Sequence, residues 1–151
     1  MPRHRISQYI NLDEALYPTD IGGTTANTGF IAMGDASTMT AVFLAASDYT
    51  DATCVITAKS ATAAAGTGSQ TLTGLGGTLD AASEMGVFEL NADNMYSGGA
   101  TAGNYTHVAF EATEASNTGV DYVAALVLKD GCRFKQDTAT LNSNADVTDN
   151  I

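Results

Sequence analysis

Residues 52–77 read ATCVITAKSATAAAGTGSQTLTGLGG. Along 53–59 the side chains alternate, with Cys54, Ile56 and Ala58 on one side and Val55, Thr57 and Lys59 on the other. A period of two is the mark of a β-strand with one buried face. Residues 60–69 are small and hydroxylated; Ala63, Ala64 and Ala65 suit one helical turn, but Gly66 and Gly68 stop it. Residues 71–79 alternate again and are interrupted by glycine, which predicts a weak or bulged sheet edge. The stretch therefore predicts strand, loop, strand. It holds no nucleophile–base pair and no metal cluster. Gly74-Leu75-Gly76-Gly77 is not followed by Lys-Ser/Thr and opens no helix, so it is not a phosphate loop.

The same period runs outward from this stretch. Residues 30–33 form a short apolar run ended by Gly34-Asp35, and 38–46 place Met39, Ala41, Phe43 and Ala45 on one face. Residues 86–91 turn Phe88 and Leu90 inward, and 105–112 alternate Thr106, Val108 and Phe110 against Tyr105, His107, Ala109 and Glu111. Residues 121–128, DYVAALVL, are apolar on both faces, as expected of a central strand. About seven or eight short strands with turn residues between them predict an all-β chain, a single β-sandwich or jelly-roll-like domain. No proline follows Pro18, so Gly, Asn and Asp supply the turns. The chain's 151 residues suit one domain. A chain of this size buries roughly 70% of its unfolded surface and needs no metal or disulfide staple.

Residues 1–27 differ in texture. They hold both prolines and the Arg3-His4-Arg5 cluster, and only Ile6, Tyr9 and Ile10 match helical spacing. This predicts an extended N-terminal arm over 1–27 with at most a short helical turn, a sandwich body over 28–136, and a polar C-terminal tail over 137–151. Removal of residues 1–20 is expected to leave the body folded.

Net charge is −11, from 17 acidic and 6 basic residues. An acidic chain without clustered Lys and Arg is unsuited to nucleic acid or to an anionic membrane surface. The bases lie at the ends: Arg3 and Arg5 early, Lys129, Arg133 and Lys135 late, with Lys59 alone between Thr28 and Leu128. Two readings remain open, solvated termini or ends that meet an acidic partner. Residues 1–20 lack the apolar core of a secretion signal, and no apolar run reaches membrane-spanning length.

Chemistry-bearing residues are sparse. Cys54 and Cys132 form no CxxC pattern, and Cys54 on an apolar strand face reads as a buried thiol. His4 and His107 lack ligand-spaced neighbours, and His107 reads as a surface strand residue. Asp48, Asp51, Asp93 and Asn94 offer loop oxygens but not the spacing of a calcium loop. Glu89, Glu111 and Asp121 are the carboxylates to weigh for acid–base work, against the commoner solvent-facing role. No catalytic residue, metal or cofactor is expected. Tyr49, Tyr96 and Tyr105 are the aromatics a glycan-binding face would use.

Residues 52–70 resemble a module of small virion proteins of tailed bacteriophages. There a strand of the type A-T-V-T-V-K is followed by Q-A-T-D-A-A-G-T-G-A-K and a second strand. Here the matching residues run from Ala52 to Lys59 and from Ser60 to Gln70, and departures are Ser60 for Gln, Ala63 for Asp and Gln70 for Lys. Tyr105-Thr106-His107-Val108 and 119–128 resemble the closing half of that module, so the likeness covers roughly residues 38–134. The resemblance implies a capsid decoration or cement protein, made in the host cytoplasm and seated on the outer surface of an icosahedral shell. Its partner would then be the major capsid protein, with a homo-oligomer, a trimer, matching local three-fold sites. The residues that would contact shell or neighbour are Arg3, Arg5, Ile6, Tyr9, Ile10, Leu12, Leu16 and Tyr17. A glycan- or host-surface-binding module and a tail-associated structural protein are the alternatives.

Overall fold

The structure, a computed structural model, describes residues 10–34, 36–47, 49, 53–96, 105–114 and 120–130. Nine strands follow in order: β1 (Ile10–Asp20), β2 (Thr25–Asn27), β3 (Ile31–Ala32), β4 (Thr38–Ala45), β5 (Cys54–Ala61), β6 (Gln70–Leu79), β7 (Met85–Asn91), β8 (His107–Glu114) and β9 (Tyr122–Asp130). A short 3-10 helix, Ala92–Tyr96, follows β7 inside the stretch read from sequence as loop.

The strands make two antiparallel sheets, β1-β9-β4-β7 and β2-β8-β5-β6, with β3 also on β8. We call them sheets A and B. Their pairings nest: β1 with β9, β2 and β3 with β8, β4 with β7, β5 with β6. That is one long hairpin folded over on itself. With β2 and β3 counted as a single broken strand it is the eight-stranded jelly roll. The break has a local cause. Asn27 Oδ1 accepts a bond from Gly29 N at 2.9 Å, and the buried Thr28 hydroxyl takes the Phe110 amide at 3.1 Å in place of a ladder carbonyl.

The core lies between the sheets. Met39, Ala41 and Phe43 of β4 and Val123, Ala125 and Val127 of β9 face Ile56 and Ala58 of β5 and Val108, Phe110 and Ala112 of β8, all buried. Alternating large and small side chains let the two layers interdigitate. Phe88 closes the open side between β6 and β7. Its ring meets Phe43 edge-on at 5.9 Å, in a slot that a Cβ on Gly77 or Gly86 would invade to 2.7 Å. The bulge expected in the second strand is present: Thr57 pairs Gly76 and Lys59 pairs Thr71, so residues 72–75 stand opposite Ala58 alone. Gly76 holds φ at +146°, and a Cβ there would overlap the Ile56 carbonyl oxygen.

The later part of the expected arm is not an arm. Residues 10–20 are the edge strand of sheet A, in register with β9 from Ile10–Asp130 to Asp20–Tyr122, and 25–27 pair with β8. Two register shifts, between Leu12 and Glu14 and between Leu16 and Thr19, break the period of two that would have marked this strand. Ile21 beyond it is fully buried. Lys129, just past the strand read at 121–128, lies near the end of β9 on its inner side; it is buried and its amine donates to the Ala32 carbonyl at 3.1 Å. Residues 1–9 and 131–151 lie outside the described residues.

Two outcomes test this architecture. Gly76→Ala should lower unfolding free energy by about 3 kcal/mol or more, against about 1 kcal/mol for Gly74→Ala, whose Cβ meets open space. Urea midpoints measure the difference. Deleting residues 1–20 should collapse the midpoint, because it strips a whole strand from β9; a truncated chain as stable as the parent would contradict the pairing of β1.

Candidate functional site

Register fixes what each sheet shows to the outside. On sheet A the outward residues of β9, β4 and β7 line up in rows. Leu126–Val42–Val87 and Ala124–Leu44–Met85 are adjacent rows, and Tyr122 continues them. Met85 is 61% exposed, Val87 57%, Leu44 49%, Tyr122 39% and Leu126 37%. Neither row contains a charge. The patch is of the order of 500 Å², comparable to the largest apolar patch of a typical lone domain, which is often a functional surface. At its β1 side a groove of about 170 Å³ runs between Pro18, Leu44, Tyr122 and Ala124. Acids border the patch: Glu89 closes the row Leu128–Thr40–Glu89, and Asp130 stands in the row beyond.

Sheet B presents the opposite surface. Thr78–Val55–Thr113–Thr25 and Gly76–Thr57–Glu111–Asn27 are its outward rows. Thr25 and Thr113 hydroxyls meet at 3.0 Å, and Lys59 Nζ donates to Glu111 Oε2 at 2.7 Å. Hydroxyls and one ion pair are ordinary solvent-facing chemistry. The sandwich is thus amphipathic as a body, polar across one broad side and apolar across the other.

A second concentration of chemistry is internal. Where β4 finishes and β9 begins, Tyr49, Cys54, Glu114 and Asp121 are all buried. The backbone laces this end shut: Ile21 N donates to Asp121 O at 2.9 Å, Glu114 N to Thr24 O at 3.1 Å, and Asp121 N to Asp20 Oδ1 at 3.2 Å. Burial, with Cys54, Glu114 and Asp121 adding negative charge, holds the Tyr49 hydroxyl far above its ordinary range. Burial, then Glu114, pushes the Cys54 thiol from about 9 up to about 11. Cys54 is a free, buried thiol.

The sequence candidates scatter. Glu89 faces out from sheet A, Glu111 faces out from sheet B in its pair with Lys59, and Asp121 is sealed inside, so no two share a cleft. Among the described residues no three His, Cys, Asp or Glu side chains are grouped to hold a metal. Asp48 and Asp51 lie outside the described residues, as do Arg3, Arg5, Ile6 and Tyr9. Ile10 and Leu12 belong to β1 opposite Asp130 and Leu128. Leu16 pairs with inward Ala125 and is partly buried, packed on the core. Tyr17 is 59% exposed. What sequence reasoning missed is the apolar outer face. Its signal was present in residues 121–128, whose second apolar side has no covering layer among the described residues. No protein-family model, curated protein or solved structure matches the chain.

The buried end gives a pH prediction. The folded chain keeps the Cys54 proton up to about pH 11, while the unfolded chain gives it up near 9. Between those values the unfolded state binds fewer protons, so stability is full below about pH 9 and falls as pH rises. Tyr49 acts in the same direction at higher pH. The urea midpoint should drop from pH 8 to pH 11, and Cys54→Ala should flatten the first part of that drop.

Proposed function

We propose that this chain is a structural protein of a tailed-phage particle, a decoration or cement protein that holds to the outer surface of the shell and stabilises it. The observation that carries the reading is the uncharged pair of rows on the outer side of sheet A, Leu126–Val42–Val87 and Ala124–Leu44–Met85. The phage-like module at 52–70 and 105–128 supplies the class of particle. A jelly roll with one apolar side suits a part that is seated on a larger body.

Magnitudes agree with a many-copy role. Roughly 500 Å² of apolar surface at about 25 cal/mol per Å² gives about 12 kcal/mol of gross transfer energy. Association costs about 4–15 kcal/mol in lost freedom. A single seated copy therefore has little surplus, and contacts between copies or from flanking segments must add to it. Tyr17 is exposed on the strand beside β9, and in this reading Arg3, Arg5, Ile6 and Tyr9, which precede that strand in sequence, take part in the contact.

Leu44→Glu and Leu126→Glu test the reading, because both side chains point out of the sandwich and leave its core intact. Each should weaken co-sedimentation with shells stripped of auxiliary proteins at least tenfold without moving the urea midpoint by more than about 0.5 kcal/mol. Binding equal to the parent's would overturn the assignment of the face. Copy number in the particle separates a shell role, with hundreds of copies, from a tail role, with a handful. One feature favours a glycan-binding alternative: Tyr122 borders the apolar groove and Tyr17 is exposed near it. A glycan-dependent rise in melting temperature that Tyr122→Ala removes would select that reading instead.

A further inference from the structure

A two-sheet sandwich has four edge strands, and exposed edges invite pairing with other chains. Three of the edges here carry devices that blunt them. β1 has Pro18 and two register shifts. β2 and β3 are 3 and 2 residues long. β6 is broken by the bulge at residues 72–75. β7 has none of these. Its 7 residues, MGVFELN, contain no proline and keep one unbroken register with β4 from Thr38–Asn91 to Leu44–Met85.

The direction of its backbone follows from the same register. Ala45 N donates to Glu84 O at 2.9 Å and Ala92 N to Ser37 O at 2.9 Å, so the even-numbered residues of β7 bond to β4. Met85, Val87, Glu89 and Asn91 then aim their N–H and C=O groups at the open side. Among the described residues no strand pairs with β7 there.

We propose that a second copy of this chain fills this edge, adding its own β7 antiparallel to the first about a two-fold axis beside Phe88. An antiparallel strand pairing with itself is self-complementary, as a two-fold contact must be. The axis beside Phe88 sets Val87 opposite Glu89 of the second copy and Met85 opposite Asn91. This register uses all four outward-aimed residues and keeps the two Glu89 carboxylates apart. A shift by two residues in one direction would set Glu89 against Glu89; in the other it would leave Asn91 without a mate. The pairing also joins the two sheets A edge to edge, so the apolar outer faces of both copies become one surface. It thereby supplies the contact between copies that a thinly held seated protein requires, while standing independently of what the surface is seated on.

Edge pairing buries less than a standard interface, so the dimer is weak in dilute solution. Both copies are acidic, at −11 each, so added salt strengthens it.

Sedimentation velocity of the full chain should show a monomer–dimer equilibrium that shifts toward dimer with protein concentration and with salt between 50 mM and 500 mM. Val87→Pro should give monomer throughout with its melting temperature retained, since the Val87 amide points away from β4. Register is read by cysteine pairing in a Cys132→Ser background. A mixture of Val87→Cys and Glu89→Cys chains should cross-link at least tenfold more than either variant alone. Monomer at every concentration up to about 1 mM overturns the proposal. So does dimer that survives Val87→Pro in a folded chain, or a Val87→Cys chain that cross-links with itself as readily as the mixture does. None of these measurements uses a shell, so their outcome is separate from that of the shell-binding experiment.

Discussion

The structure turns on strands that are apolar on both sides in a sandwich that covers only one. β9 and β4 lie at the centre of sheet A, and their inward residues, Val123, Ala125, Val127, Met39, Ala41 and Phe43, are buried against sheet B. Their outward residues, Ala124, Leu126, Val42 and Leu44, are as apolar as the inward ones but have no layer above them among the described residues. An antiparallel sheet with one solvated face ordinarily alternates apolar-in and polar-out, and sheet B does so. Sheet A departs from that rule only on its outer side.

Charge is distributed to match. The sandwich interior holds a buried carboxylate pair at the end where β9 begins and a buried lysine at the end where β9 finishes. Burying charges in this way is expensive and stabilises little on its own. The backbone bonds around Asp121 and the amine contact of Lys129 to Ala32 hold both ends of the jelly roll closed, with no cleft opened to solvent by either group. Of the three carboxylates weighed in the sequence for acid–base chemistry, Asp121 is sealed, Glu111 is paired with Lys59, and Glu89 stands at the border of the apolar face, so no two of them meet.

Legibility in the sequence followed the regularity of the strands. β4, β5, β7 and β9 could be read almost to their ends, because each keeps an uninterrupted period of two against a buried side. β1 could not, because Pro18 and two bulges shift the period twice within 11 residues and leave Asp13 and Glu14 in mid-pattern. The same segment therefore reads as an arm when it is an edge strand. β2 was illegible through shortness, while β3 falls inside the short run read at 30–33. The cluster of Tyr49, Cys54, Glu114 and Asp121 was illegible for another reason: its members come from separate loops and strand ends that only the nested hairpin brings to one place. The apolar face was half legible. Residues 121–128 announce two apolar sides, but a sequence cannot say whether the second side meets another layer of its own chain or none.

Glu89 and Asp130 stand at one border of this face. Two copies approaching face to face set Glu89 and Asp130 of each against a body that carries −11, so indiscriminate stacking is opposed while the charges are unscreened. The proposed edge pairing through β7 also brings two acidic bodies together, but its register interleaves Glu89 with Val87 instead of with itself. A surface that is apolar at its centre and acidic around it selects for a seat of the complementary pattern, apolar within and basic around. Lys59 is paired on the far side and Lys129 is turned inward, so among the described residues neither cation of this chain can supply that rim.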